Sequence, residues 1–355
     1  MKTLPNITSL RFFLAFLVMI FHIPLFFSKR GISSFNDWPV FHKGTEAVFM
    51  FFSLSGFLIF RQLYAEKIKT NGIDLKKFYL RRILRIFPVY YLVVFIGLFY
   101  YNLFLPAIGM PVERNYDLAK GILLLITFFP NVLLVNNPGG ILEILWSIGI
   151  EEQCYLFVAP LFLFLPARYY KMFFLILSFV FVYLYEFSDL IFLKDYKMIF
   201  FYFTFAGWCS LQNFKDHAFQ KFTDAAAYIL MILFFTTDLF IDYLSEPSYF
   251  IFAMLLFGYF ITIFVRKPIS FFENKTLIYL GKISYGIYMY HVIVMQLAGF
   301  IFLKLLSKFR INDTLIICLS YVSVIGMTIF AAHVSYQYYE KTFLNKKKSF
   351  RIGTH

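Results

Sequence analysis

Residues 118–135 read LAKGILLLITFFPNVLLV, and whether this run crosses a bilayer decides the side on which every later loop lies. That a bilayer is involved follows from the rest of the chain. Of its 355 residues 61% are hydrophobic, 23% aromatic and only 15% charged, whereas ordinary globular domains are roughly half apolar and a quarter charged. The apolar residues gather in runs of about 20, the length a helix needs to cross a hydrocarbon core. The sequence therefore predicts an all-α polytopic integral membrane protein.

Ten spans are expected, over 6–27, 45–63, 84–105, 143–165, 171–187, 195–212, 225–241, 248–265, 276–303 and 314–336. Residues 118–135 are the eleventh apolar run. If they dip into the membrane without crossing and the N-terminus is cytoplasmic, the inside segments hold roughly 20 Lys and Arg and the outside loops roughly 10, as the positive-inside rule requires. If they cross, "RYYK" (168–171), "RK" (266–267) and "KKK" (346–348) fall outside. The charge thus favours one non-crossing segment near 118–135, with N- and C-termini both cytoplasmic. Residues 1–340 form one transmembrane domain, followed by a basic cytoplasmic tail over 341–355.

The net charge of +13 is explained by this topology, and no nucleic acid partner is expected. Cys154, Cys209 and Cys318 lie scattered in apolar segments without metal spacing and read as small packing residues, so no metal is expected. Met1-Lys2 before an apolar run has the start of a signal peptide. Arg11 interrupts it and no small-x-small cleavage site follows, so the first segment is expected to stay. No polar stretch is long enough for an appended soluble domain, and no internal repeat supports an inverted-repeat transporter.

Ionisable groups deep in a bilayer cost about 2.5 kcal/mol or more each, so they tend to face a cavity and to carry function. The first span, "SLRFFLAFLVMIFH" (9–22), holds Arg11 and His22. Eleven residues make three turns plus roughly 20°, which puts both on one face about 16 Å apart. Arg11 can snorkel to the cytoplasmic edge, but His22 lies past the midpoint, before Pro24. An imidazole there either accepts a proton from a hydroxyl or is a histidine satisfied by hydrogen bonds between helices.

In "FYLRRILRIFPVYY" (78–91), Arg81, Arg82 and Arg85 form one cationic face. That face suits anionic lipid heads or the phosphates of a nucleotide-bearing cofactor. "LWSIGIEEQCYLF" (145–157) stacks Ser147 over Glu151, with Glu152 one position round and expected toward the headgroups. "FFSLSGF" (51–57) carries Ser53, Ser55 and Gly56, which read either as close helix packing or as a passage for a slender ligand. "GKISYGIYMYHVIV" (281–294) adds His291 and several tyrosines. His333 has no matching partner and reads as a buried structural residue.

Together these stretches resemble the membrane acyltransferase 3 family. Arg11 and His22 fit its Arg-x10-His pattern, "FFSLSG" its FFxxSG motif and "RRILRIFPVY" its paired-arginine loop. "WSIGIEEQCYL" is similar to its Trp-Ser-Leu-x-x-Glu-Glu-Gln-x-Tyr element, and "LGKISYGIYMYH" to its late Gly-(Arg/Lys)-Ile-Ser-Tyr…His element. "YYEKTF" (338–343) resembles its closing Glu-Lys-Pro-Phe. Each motif is loose alone, but six stand in the right order over residues 11–343.

The resemblance implies a membrane enzyme that moves an acyl group, often acetyl, from cytosolic acyl-CoA to a hydroxyl of a cell-surface glycan or lipid-linked precursor. Acyl-CoA, with acetyl-CoA foremost, enters as co-substrate, and no permanently bound cofactor is implied. The expected partners are membrane lipids, acyl-CoA and a glycan acceptor, in the plasma membrane of a bacterial cell. His22 becomes the general base, with Glu151 assisting the proton transfer. Arg11, Arg81, Arg82 and Arg85 hold the coenzyme's phosphates, while Ser55 and Gly56 line the passage for the pantetheine arm. Trp146, Ser147 and His291 lie on the acceptor side. The sequence departs from the family at Phe49, often acidic or hydroxyl-bearing, at Phe12, often Gly, and at Thr342 in place of proline; the width and polarity of the passage depend on the first two. A glycan exporter or flippase, and a non-catalytic subunit of a glycan synthase, are the alternatives.

Overall fold

The computed structural model describes residues 4–110, 113–212, 219–306 and 312–347. Among them all regular structure is helical, as hydrocarbon demands of a chain that must pair its backbone N–H and C=O groups internally. Eight stretches among the described residues are long and apolar enough to cross a bilayer: Ile7–Ser28, Gly44–Thr70, Leu75–Ala107, Gly140–Phe164, Ala167–Glu186, Glu246–Phe264, Ser284–Leu305 and Asp313–Lys346. These cover eight of the expected spans.

The principal helices are α1 (Ile7–Ser28), α2 (Gly44–Thr70), α3 (Leu75–Phe99), α4 (Leu118–Ile126), α5 (Pro130–Leu134), α6 (Trp146–Phe164) and α7 (Tyr170–Glu186). They are followed by α8 (Phe201–Ser210), α9 (Gln220–Thr236), α10 (Glu246–Phe264), α11 (Lys275–Lys282), α12 (Ser284–Leu306), α13 (Asp313–Ser335) and α14 (Lys341–Lys347).

Two expected spans lie outside these eight. Of 195–212, the ten residues of α8 and Asp195, the end of a short helix over Ile191–Asp195, are helical, because the chain turns between them at Lys197, whose φ is +53°. Ten residues rise about 15 Å. In place of 225–241 the helix α9 begins five residues earlier and has 17 residues, as many as the expected span, at the short end of the range that spans, roughly 17–25. The expected span 276–303 is broken at Ile283 into α11 and α12, where the Ser284 hydroxyl donates to the Gly281 carbonyl at 2.9 Å. Of the expected tail, α14 is described and residues 348–355 lie outside the described residues, as do Lys2 and Lys215 of the inside charge.

The chain divides into two compact units, residues 1–54 with 212–336 and residues 55–211 with 337–355. In the first, α1 packs on α11, α12 and α13, α12 pairs with α13, and α9 lies on α10. Asn6, buried in left-handed backbone at φ +63°, pins the start of α1. Its Nδ2 donates to the carbonyls of Phe264 and Lys267 at 2.6 and 2.8 Å, and its Oδ1 accepts from Ile269 N–H at 2.9 Å. Helix α11 touches α1 so closely that a Cβ on Gly281 would stand 1.8 Å from the Thr8 carbonyl oxygen.

In the second unit α7 packs on α8, α14 on α3, and α5 on α6. The stretch 118–135 belongs here, and it is two short helices, nine and five residues long. Neither can cross a core of about 30 Å alone. Phe128 breaks the run at φ +62°, and Pro130 starts α5 at a position that needs no N–H. The break is held from both sides. The Tyr90 ring stacks on Phe128 at 4.3 Å and its hydroxyl donates to the Leu125 carbonyl at 2.8 Å. Gln153 Nε2 donates to the Phe128 carbonyl at 2.9 Å. Asp74 caps α3 by accepting the Lys77 N–H at 2.9 Å, and that bond holds its carboxyl below the usual value. The helix end gains from Asp74 at neutral pH and loses the gain as pH falls through that depressed value.

Two expectations change. Cys154 and Cys209 are buried but Cys318 is exposed, and so is His333, whose Nδ1 lies 2.6 Å from the Tyr279 hydroxyl. Both lie on α13, and His333 meets Tyr279 of α11, ring centroids 5.8 Å apart.

Gly281→Val must push α11 off α1, because the obstructing atoms are backbone. Overpacking of this kind costs about 1–3 kcal/mol, so the unfolding midpoint of the detergent-solubilised protein should fall by several degrees.

Candidate functional site

In the first unit α1 is one continuous helix through Arg11 and His22, so the one-face spacing stands. Arg11 and His22 are both partly buried. His22 Nδ1 lies 2.8 Å from the Val18 carbonyl, one turn back. A carbonyl only accepts, so Nδ1 carries the proton and Nε2 is left with its lone pair. The same Nδ1 lies 3.3 Å from Nε2 of His291, which α12 places beside α1 with ring centroids 5.0 Å apart. His291 is fully buried. The sequence names both histidines but does not reveal that they touch, since 269 positions separate them.

Also in this unit, Phe49 is buried against the ring of Phe250 at 5.7 Å. One turn earlier on α2, Glu46 is buried, and Tyr249 donates its hydroxyl to Glu46 Oε1 at 3.0 Å. The carboxylate absent at Phe49 thus has a neighbour on the same face. A Glu three residues before an aromatic in an apolar span was the available signal.

In the second unit the expected residues form a cluster, a contact and a salt bridge. Ser55 Oγ donates to Glu151 Oε1 at 2.7 Å, and the Tyr155 hydroxyl donates to the same oxygen. Arg82 lies over the Tyr155 ring at 5.3 Å and the Phe78 ring at 5.8 Å. Tyr155 thus touches both a carboxylate and a guanidinium, and its place one turn after Glu151 is the signal that would have found it. Glu152 does not face the headgroups as expected: its Oε1 is buried and has no hydrogen-bond partner among the described residues. On the same side of α6, the Tyr79 hydroxyl of α3 donates to the Leu156 carbonyl at 3.3 Å.

Gly56 turns the other way from Ser55. A Cβ there would stand 2.2 Å from the Phe203 carbonyl oxygen, so Gly56 sets the approach of α2 to α8. Arg81 is 5% exposed, and its Nη2 lies 3.6 Å from Oε2 of Glu66, itself 4% exposed. Glu66 Oε1 also accepts the Asp74 N–H at 2.9 Å, which ties the α2–α3 turn to the pair. Arg82 and Arg85 are partly buried. Trp146 is buried beneath Lys197, whose Nζ sits 4.7 Å over the ring. Ser147 is buried, its hydroxyl 3.4 Å from the Ile144 carbonyl.

Long apolar helices carrying buried histidines, carboxylates and arginines define a polytopic membrane protein with polar chemistry inside its spans. Residues 4–333 match the model of the acyltransferase domain, and the chain belongs to the acyltransferase 3 family. It is similar to the peptidoglycan O-acetyltransferase OatA of Listeria monocytogenes, 28% identical over 177 residues, 48% of this chain and 26% of that protein. To the O-acetyltransferase OatA of Staphylococcus aureus it is 28% identical over 176 residues, 47% of this chain and 26% of the relative. A protein of the Acidianus two-tailed virus is 24% identical over 309 residues, covering 83% and 84% of the two chains. The matched stretch thus spans about a quarter of the length of each bacterial relative. No solved structure matches the chain significantly.

Removing either partner of the Arg81–Glu66 pair should cost about 3–5 kcal/mol, because the other charge is left buried. Arg81→Met with Glu66→Leu should cost clearly less than the sum of the singles, which a double-mutant cycle on thermal unfolding would read.

Proposed function

We propose that this chain is a membrane O-acyltransferase that moves an acetyl group from cytosolic acyl-CoA to a hydroxyl of a cell-envelope glycan. Family membership supports the reaction class, the names of the Listeria and Staphylococcus relatives support acetyl as the group, and that of the Listeria relative supports peptidoglycan as the acceptor. The observation that carries the mechanism is the His22 ring, with its Nδ1 proton committed to Val18 and its Nε2 lone pair left for a substrate.

His22 acts as the general base. The acceptor's hydroxyl oxygen bonds to the acyl carbonyl carbon and the thioester carbon–sulfur bond breaks. The hydroxyl proton passes to His22 Nε2 and from there to the departing thiolate. Arg11 neutralises anionic coenzyme at the cytosolic end of α1, about 16 Å from His22 along the helix. In the second unit, Arg82 and Arg85 take coenzyme phosphates, while Arg81 acts through its pair with Glu66. Ser55 offers a polar surface beside Glu151, and Trp146 and Ser147 serve the acceptor side.

The same proposal includes the ten-span topology with both ends in the cytoplasm of a bacterial cell, with α9 completing one crossing and the stretch 195–212, whose Ile199 and Phe200 are buried in protein before α8 begins, the other. The cation bias between alternate loops is its support.

The test is transfer of radiolabel from [acetyl-14C]-CoA to an isolated envelope glycan fraction by membranes carrying the protein. Wild-type membranes should label the glycan, and His22→Ala should reduce the rate by about 100-fold or more while inserting normally. Absence of both label and coenzyme A binding would favour the exporter instead.

A further inference from the structure

His291 was expected on the acceptor side, yet its contacts run to His22 and to its own helix. His291 Nδ1 lies 2.5 Å from the Tyr288 carbonyl, so that nitrogen carries the proton and the neutral ring turns the Nε2 lone pair outward. That lone pair points at His22 Nδ1, 3.3 Å away. Two neutral rings can share this contact only if His22 brings the hydrogen. With the proton moved to His22 Nε2, two lone pairs would face each other at 3.3 Å, and the Val18 carbonyl, a third acceptor, would face the bare Nδ1 at 2.8 Å.

We propose that His291 is a positioning residue for His22: it holds the ring in the Nδ1–H form with Nε2 free, and it steadies the imidazolium formed when Nε2 takes a proton. This rests on the reading of His22 as the base in acyl transfer. The hydrogen bonds run in one direction, His22 Nδ1–H to His291 Nε2 and His291 Nδ1–H to the Tyr288 carbonyl. After Nε2 is protonated the same Nδ1–H becomes a charge-assisted donor to both its acceptors, and such bonds are roughly twice as strong as neutral ones. The environment amplifies this, because His291 is fully buried and the Phe21 ring covers His22 edge-on at 4.9 Å. The proton has no route onward through His291, whose other nitrogen is already committed to Tyr288. It stays on His22 until the thiolate leaves. Val18 alone would also favour Nδ1–H; His291 gives the same proton a second acceptor from another helix and so opposes the other tautomer from a second direction.

The experiment uses the full chain in nanodiscs, with 15N-histidine labelling and His22 and His291 assigned by substitution among the six histidines. Nitrogen chemical shifts distinguish N–H from bare N. Wild type should show Nδ1–H at both residues. His291→Phe keeps the volume and removes the acceptor; His22 should then become a mixture of tautomers. In the acetyl-CoA assay kcat should fall by about 100-fold, the low end of what a positioned base contributes, with KM little changed. His291→Gln restores an acceptor toward His22 and a donor toward Tyr288, and should keep kcat within about tenfold and the tautomer intact.

Nε2–H at His22 in wild type would overturn the proposal. So would an unchanged tautomer and kcat in His291→Phe, or a loss in His291→Gln as large as in His291→Phe, which would mark a packing role. If no variant and no wild-type protein transfers acetyl while the tautomers behave as expected, the acyl-transfer reading fails and the positioning stands.

Discussion

A polar group carried into hydrocarbon must bring its partner with it, because no water is there to replace one that is missing. Much of the interior follows from that constraint. His22 is paired through Val18 and His291, Glu151 through Ser55 and Tyr155, and Arg81 through Glu66. Gln153 reaches both the Phe128 carbonyl and Asn131 Oδ1, and Asn131 in turn donates to the Tyr196 carbonyl at 3.0 Å. In a low dielectric each such bond is strengthened and each omission is costly, so these chains locate helices as firmly as packing does.

Packing supplies the rest, through close approach. Without a hydrophobic drive between helices in lipid, association depends on van der Waals fit. Gly56 lets α2 reach the Phe203 backbone, Gly207 makes room for the Phe60 ring, and Gly281 admits Thr8. The aromatic side chains fill what the glycines open. Phe60, Phe162, Tyr170 and Phe174 stack as one group, with centroids between 4.5 and 6.1 Å apart. Where two small residues stand side by side, as Ser55 and Gly56 do, they divide the work: the glycine serves the helix contact and the serine the polar cluster.

The two levels meet in the proposed chemistry. A base inside a membrane needs a fixed proton on one nitrogen and a bare lone pair on the other, and α1 and α12 supply the acceptors that arrange this. In the second unit the α2–α3 turn is tied at Glu66, which also holds Arg81. Cation placement and helix connection therefore depend on the same carboxylate.

Much of this was legible in the sequence, because it depends on counts along one helix. Apolar runs marked the eight long spans, and the eleven-residue step from Arg11 to His22 set one face. Motif order alone pointed to the family that residues 4–333 then matched. The sequence did not disclose pairings between distant segments: His22 with His291, Glu66 with Arg81, Gly56 with Phe203, or the inward turn of Glu152. Nor did it show that α8 stops at ten residues, since the left-handed turn at Lys197 belongs to the folded loop. Local periodicity is a property of each helix, so sequence determines it. Which faces meet, and therefore which nitrogen keeps its proton, depends on contacts across hundreds of residues, and only the tertiary structure decides those.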